Sequence, residues 1–279
     1  MISNPIINQI IDYILAHIED DISLDEITKV SGYSKYYLLH MFKSQTGEGI
    51  YEFIKRLKLE QSAFRLKVEK DKSITEIGEE YGYSASNYSS AFKQHHNTTP
   101  VKFRKDIMNK TFSHPFFHME AELIESFEEC SKKISIAHLP DYFVIFERRK
   151  GNYHDLGMDW SSFIEKTKKY FSEDSVYIER TFDDPSITNP DECLYDICLS
   201  VDKNLNLPNE NTCVIPGGKF AIYHFEGSPK QIYGAYQSMF TIWLPKSGCQ
   251  IDERYSYDIY RKVDCDQNFM IIDICIPVK

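Results

Sequence analysis

The sequence predicts a multidomain protein: an N-terminal all-α domain with two helix-turn-helix units, then a C-terminal α+β domain of two pseudo-symmetric strand-helix-strand halves. Three observations predict it. Residues 23–103 hold a repeat with a period of 50. From Ile134 onward, strand-like runs alternate with helical ones. The charge divides at the same place. Residues 1–110 hold 15 Lys+Arg and 15 Asp+Glu (15 − 15 = 0), whereas residues 111–279 hold 17 and 27 (17 − 27 = −10).

The 279 residues suffice for two cores. With 14% aromatics, including 19 Tyr and 18 Phe, the chain is no disordered polymer. No apolar run approaches the ~20 residues of a membrane span, so no membrane partner is expected. Met1-Ile2-Ser3-Asn4 lacks the basic start and apolar run of a secretion signal. The seven Cys are odd in number and show neither CxxC nor metal-ligand spacing, which fits cytoplasmic thiols with no metal or cofactor. An acidic chain as a whole is a poor match for phosphates, but the neutral N-terminal part leaves that partner open.

The repeat aligns Ser23/Ser73, Glu26/Glu76, Ile27/Ile77, Gly32/Gly82, Tyr33/Tyr83, Ser34/Ser84, Phe42/Phe92, Lys43/Lys93 and Phe53/Phe103 without a gap. Ser23 and Ser73 with a Glu three residues on predict capping boxes. Gly32 predicts a left-handed helix end, and Ser34 caps the next helix. Leu38, Met41 and Phe42 at i, i+3, i+4 form that helix's buried face, matched by Tyr88, Ala91 and Phe92. Helix, Gly-containing turn, helix is the form of a helix-turn-helix unit. Between the copies, Tyr51–Val68 has no Gly or Pro and predicts one helix about 27 Å long at ~1.5 Å per residue. Such a rod would hold two reading helices about one duplex turn, ~34 Å, apart.

The exposed face of the first copy's second helix carries Lys35, Tyr36, Leu39, His40 and Lys43, with Ser34 and Tyr37 at its start. The second copy offers Ser84, Ala85, Ser86, Asn87, Ser89, Ser90 and Lys93, whose short side chains allow close approach to a groove. The bland alternative is helical packing, with Tyr36 buried against another domain.

Gly32-Tyr33-Ser34-Lys35, Leu38, Met41-Phe42-Lys43 and Thr46-Gly47, then Lys58, Ala63 and Leu66, then Phe92-Lys93, Thr99-Pro100 and Phe103-Arg104 carry a resemblance. Residues 6–106 resemble the AraC family of transcription regulators, of the Rob/MarA/SoxS type. The resemblance implies that both second helices enter the major groove of double-stranded DNA and adds Arg104 to the DNA-binding set. It also implies an activator that works with RNA polymerase. The family usually has Arg where this chain has His40 and Ser90.

The domains are expected at 1–107, a connector at 108–133, and 134–279. In the connector, His114 and His118 are weak metal candidates without a visible partner set, and Glu120–Lys133 is ambiguous. Strands are expected at Ile134–Ala137, Tyr142–Glu147, Tyr195–Val201, Phe220–Phe225 and Ile272–Val278, with helices at Asp159–Phe171 and Pro229–Trp243. Pro140/Pro216 and Gly151/Gly227 share an offset of 76, and Asp196-Ile197-Cys198 and Asp273-Ile274-Cys275 share 77, so two packed halves are expected.

Asp183-Asp184-Pro185, Trp243-Leu244-Pro245 with Gly248, Tyr257-Asp258-Ile259-Tyr260 and the closing Ile-x-Ile-Pro make residues 134–279 similar to a gyrase-inhibitor-like (SHS2-type) effector-binding domain. That resemblance implies a cleft for a small hydrophobic, often cationic effector. Asp258 stands where relatives carry Glu as counter-charge. Independently, Asp258 and Tyr260 share one side of a strand, and aromatic faces attract cations. Trp160, Tyr223, Tyr236 and Trp243 are candidate walls, the alternative being plain core. Asp183 is the expected repeat partner of Asp258, though Asp-Asp-Pro is more often a loop. No G-x-S-x-G, phosphate loop, H-E-x-x-H or dinucleotide fingerprint is present, so no enzyme is expected. The function expected is a DNA-binding transcription regulator with multidrug-type effector binding. The alternative is a hydrolase or drug-sequestering module fused to a DNA-binding domain.

Overall fold

The computed structural model describes residues 1–112, 125–152, 156–264 and 266–279. His114, His118 and Glu120 lie outside them. The chain divides into two compact units, 1–108 and 109–279.

The first unit is helical: α1 (Pro5–Ala16), α2 (Leu24–Ser31), α3 (Lys35–Thr46), α4 (Ile50–Val68), α5 (Ile74–Glu80), α6 (Ala85–His96) and α7 (Pro100–Phe112). The repeat in the sequence is a repeat in space. Ser23 with Glu26 and Ser73 with Glu76 both close capping boxes. Gly32 and Gly82 both take positive φ, +71° and +80°, which lets the chain turn into the second helix of each unit. Phe42 meets Phe53 edge-on at 5.2 Å and 78°, and Phe92 meets Phe103 at the same 5.2 Å and 78°. Leu38, Phe42, Tyr88 and Phe92 are buried as their spacing required, while Met41 and Ala91 are half-buried.

The linker helix α4 runs over 19 residues, as its uninterrupted sequence predicted. It is pinned to both halves. Lys58 Nζ donates to the carbonyls of Asp20 (2.7 Å) and Tyr81 (3.2 Å). Arg56 is held between Glu48 and Glu60 at 2.7 and 2.9 Å. The Tyr88 hydroxyl donates to Ser62 Oγ at 3.0 Å, which fixes α6 on α4.

The second unit is an eight-stranded antiparallel sheet with helices. The strands are β1 (Ile134–Leu139), β2 (Tyr142–Lys150), β3 (Tyr177–Thr181), β4 (Leu194–Ser200), β5 (Thr212–Ile215), β6 (Gly218–Gly227), β7 (Tyr257–Asp264) and β8 (Phe269–Pro277). Their order, β1-β6-β8-β7-β3-β4-β2-β5, is symmetric about the β7–β3 junction. Each half supplies a strand, a helix and two strands, and β1 and β5 are exchanged onto the other half. The helices are α8 (Phe127–Lys133), α9 (Leu156–Thr167), α10 (Ile232–Gln237) and α11 (Leu244–Ser247). The expected helix 159–171 therefore begins earlier and ends in a 3-10 turn over Lys168–Tyr170. The expected helix 229–243 is three pieces: a 3-10 turn at Pro229–Gln231, α10, and a π-turn at Ser238–Trp243.

Residues paired directly across strands project to one face. One face of the sheet packs Ile145, Tyr195, Ile197 and Leu199 under Phe163 and Trp160 of α9. The other face curls on itself, so that Tyr142 of β2 meets Tyr257 of β7 at 6.2 Å between ring centroids. Inside that curl, Arg148 and Arg180 both bind the fully buried Asp196, Arg148 through Nε and Nη2 at 2.8 and 2.9 Å. Burial alone would push the Asp196 carboxyl up, but the two guanidiniums outweigh it and hold it below the usual carboxylate range.

Candidate DNA-contacting face and effector site

In the first unit, Ser34, Lys35, Tyr36, Tyr37, His40 and Lys43 are exposed and Leu39 is half-buried. Tyr36 stands 75% exposed and Tyr37 51%, far out for aromatic rings on a folded helix. Tyr36 lies 4.4 Å from His40 and Tyr37 5.0 Å from Tyr33, ring to ring, both pairs tilted, so the aromatics brace one another on the exposed face. Two members have local duties. Ser34 Oγ accepts from Tyr37 N at 3.4 Å as the helix cap, and Lys35 pairs with Asp25 at 2.5 Å. That exposed hydrogen bond raises the Lys35 ammonium and lowers the Asp25 carboxyl.

On α6, Ser86, Asn87, Ser89, Ser90 and Lys93 are all exposed, as is Ser84 at its N-cap. Ser84 makes no side-chain cap bond, unlike Ser34. Arg104 is placed differently. It is half-buried on α7, and its Nε and Nη2 are buried without a hydrogen-bond partner among the described residues. Desolvation lowers its pKa, opposed by the nearby Tyr88 and Glu69.

In the second unit, the effector residues form a cluster about one acid pair. Asp258 on β7 stands directly across from Glu179 on β3. They are 3% and 4% exposed. The row through them reads Tyr223, Ile274, Asp258, Glu179, Ile197, Glu147 across six strands. Its centre lies between the two acids, so Glu179 is the symmetry partner of Asp258. Asp183 is not that partner. It sits in the loop after β3, where its Oδ2 accepts from Leu194 N at 2.5 Å, so the loop reading is the right one.

Each carboxylate has aromatic donors. The Tyr236 hydroxyl of α10 donates to Asp258 Oδ2. The Tyr260 hydroxyl donates to Glu179 Oε2 at 2.6 Å, and Trp160 Nε1 reaches the same oxygen at 3.5 Å. Trp160 lies 4.9 Å from Tyr260, ring to ring. Asp258 Oδ1 is buried with no hydrogen-bond partner among the described residues. Burial, reinforced by the Glu179 charge, pushes the Asp258 carboxyl well above its ordinary value, against the pull of the Tyr236 hydroxyl. Burial likewise raises Glu179, against Tyr260 and Trp160. Among the described residues, the hydrogen bonds and ion pairs of this pair include no cationic side chain. Arg180, the neighbour of Glu179, points to the opposite face and binds Asp196.

Trp160, Tyr236, Asp258 and Tyr260 are thus brought together. Tyr223 shares the row but stands two strands from Asp258. Its hydroxyl donates to Glu125 at 2.8 Å and accepts from Lys133 at 3.2 Å. These groups line a separate small cavity of about 80 Å³ with Phe225, Gln231 and Ala235. Trp243 is buried at the end of the π-turn and takes no part in the polar contacts of the acid pair. Glu179 escaped the sequence reading. The strand register, which sets Glu179 directly opposite Asp258, is what reveals it.

Residues 132–279 match the family described as the GyrI-like small molecule binding domain. That match covers more than half of the chain. The chain belongs to the GyrI-like family. Residues 27–106 match a helix-turn-helix domain family. The multiple antibiotic resistance protein MarA of Escherichia coli is 34% identical over 115 residues, which are 40% of this chain and 90% of MarA. The regulatory protein SoxS of Salmonella typhimurium is 33% identical over 100 residues, 36% of this chain and 92% of SoxS. The solved EcmrR–DNA complex aligns over 93% of this chain and 85% of EcmrR at 14% identity and a TM-score of 0.47, too distant to carry an argument. This GyrI-like protein is therefore a DNA-binding transcription regulator of AraC type with a small-molecule-binding domain. No helix among its described residues is long and apolar enough to cross a membrane.

Proposed function

We propose that this regulator senses a hydrophobic cation at Asp258 and adjusts its hold on duplex DNA accordingly, as an activator that works with RNA polymerase in the cytoplasm. The observation that carries the effector reading is Asp258 Oδ1: a buried carboxylate oxygen that has, among the described residues, no hydrogen-bond partner and no protein cation paired with it, only aromatic neighbours. A desolvated carboxylate is unfavourable unless paired. A cation with apolar bulk supplies that pair and gains cation–π attraction from Trp160, Tyr236 and Tyr260. The π-turn that directly follows α10, the helix that carries Tyr236, is a kind of irregularity that recurs at functional sites.

Tetraphenylphosphonium, a bulky cation that carries no titratable proton, is the probe. Calorimetry should show binding to wild type and at least about tenfold weaker binding to Asp258→Asn, a change of ~1.4 kcal/mol. Equal affinities would remove Asp258 from the site.

For DNA, α3 is proposed to read through Tyr36, Tyr37, Leu39 and His40, with Lys43 on phosphate. On α6, Ser84, Ser86, Asn87, Ser89, Ser90 and Lys93 make the closer, less selective contact. Arg104 steadies α7 rather than leading the contact, given its buried nitrogens. Lys43→Ala should reduce the slope of log affinity against log salt by about one. An unchanged slope places Lys43 off the backbone.

A further inference from the structure

The acid pair has more charge than one small cation needs. Two carboxyls of adjacent strands face each other, Glu179 opposite Asp258, both buried. Cross-strand Cβ atoms sit about 4.5–5.5 Å apart. Among the described residues, the groups that hydrogen-bond to them are uncharged donors. Tyr236 comes from α10 and Tyr260 from β7 itself. Trp160 comes from α9. Tyr195 of β4 donates to Asp159, which Arg149 neutralises at 2.8 Å. On β8, Ile274 lies across from Asp258, and the neighbouring Cys275 thiol faces the opposite side. Glu147, at the far end of the row, already has Arg149 and Lys166 at 2.8 Å each. Glu179 and Asp258 are the acids of the row left to a visitor.

We propose that Glu179 and Asp258 form one two-charge site that stays electrically neutral in every state: two protons when empty, one proton plus a hydrophobic monocation, or the two charges of a flat aromatic dication. This rests on the cation-sensing reading above. Its physical ground is that a desolvated charge which lacks a partner neutralises itself instead. The upward displacement of both carboxyls by burial has the sign this requires. On binding, the O–H bond of a carboxyl breaks, the proton passes to solvent, and the carboxylate left behind takes up the ligand's charge. The site therefore expels as many protons as the ligand brings charges, and an aromatic dication is its best-matched effector.

The test counts protons by calorimetry of the full chain at neutral pH, in two buffers of different ionisation enthalpy. The probes are tetraphenylphosphonium and methyl viologen, a planar aromatic dication, both permanently charged, so any proton comes from the protein. Wild type should release one proton with the first and two with the second. Affinity should then rise with pH by about tenfold and about a hundredfold per unit respectively, until the carboxyls ionise unaided. In Glu179→Gln, release with methyl viologen should fall to one proton, and the preference for the dication over the monocation should shrink by about tenfold or more. Binding of both probes with no proton release, or two protons still released by Glu179→Gln, overturns the two-charge site and leaves the cation reading standing. Failure of both probes to bind overturns both.

Discussion

Asp258 destabilises the fold where it stands, and the sign of its effect can be read from pH. Burial raises its carboxyl above the ordinary 3.8, so the folded state holds a proton that the unfolded chain would give up. Its contribution to stability is fully present below pH ~3.8 and is lost as pH rises through the folded value. Asp258→Asn removes that loss. Its melting temperature should exceed that of wild type at pH 8, and the gap should close towards pH 4 in scanning calorimetry, at about 2–4 °C per kcal/mol for a chain of this size. Asp196 shows the opposite case. Its carboxyl is held low by Arg148 and Arg180, so its stabilising contribution is present at neutral pH and lost as pH falls through its depressed folded value. Arg148→Met leaves that buried charge half-compensated and should cost about 3–5 kcal/mol in denaturant unfolding. Side-chain chemistry announced Asp258, because an acid between aromatics is conspicuous in a sequence. Glu179 was not legible in the same way, because β3 reads as Tyr-Ile-Glu-Arg-Thr and its two charges suggest an exposed segment. Only the register shows that Glu179 faces Asp258 on one side while Arg180 serves Asp196 on the other.

Among the elements, the second helix-turn-helix is the more tightly toleranced. A Cβ added at Gly78 of α5 would sit 2.8 Å from the Tyr88 ring, which is fully packed and donates to Ser62. Gly78→Ala must push that ring and its hydrogen bond, so α6 shifts on α4. Overpacking of this kind costs about 1–3 kcal/mol. The variant should melt lower by calorimetry and bind duplex DNA more weakly, with an unchanged salt slope because no phosphate contact is deleted. Intact affinity would show that α6 adds little to binding. The elements that the sequence made plain are those whose signals are local: capping boxes, a Gly turn, an apolar stripe, an unbroken α4. Those it hid depend on neighbours. β3 and β5 are short and carry polar residues, and become strands because β4, β7 and β2 complete their ladders. The run from Pro229 to Trp243 reads as one helix, yet it changes hydrogen-bond pattern at Ser238. There the Thr241 hydroxyl takes the Gln237 carbonyl at 2.6 Å, and Leu244 N reaches back to Met239 O. Competition of this kind by Thr for the helix carbonyls is a recognised source of bending.

At the scale of the molecule, the two units carry unequal charge, and this bears on DNA affinity. Residues 1–112 are neutral overall, and all of the net charge of −10 lies beyond them. Residues 1–108 form a compact unit of their own. The unit's core is also closed within itself through Phe42, Phe53, Phe92 and Phe103. A fragment of residues 1–112 should therefore unfold in one cooperative transition and bind the same duplex as the full chain. It lacks the acidic unit, whose field repels phosphate over a Debye length of about 8–10 Å at ordinary salt and about 3 Å at 1 M. The fragment should thus bind more tightly than the full chain at low salt, and the two affinities should converge as salt rises, as measured by fluorescence anisotropy. A fragment that binds more weakly at every salt concentration would mean instead that the GyrI-like domain supplies contacts or orders the DNA-binding helices. The repulsion would then be the lesser effect of carrying it.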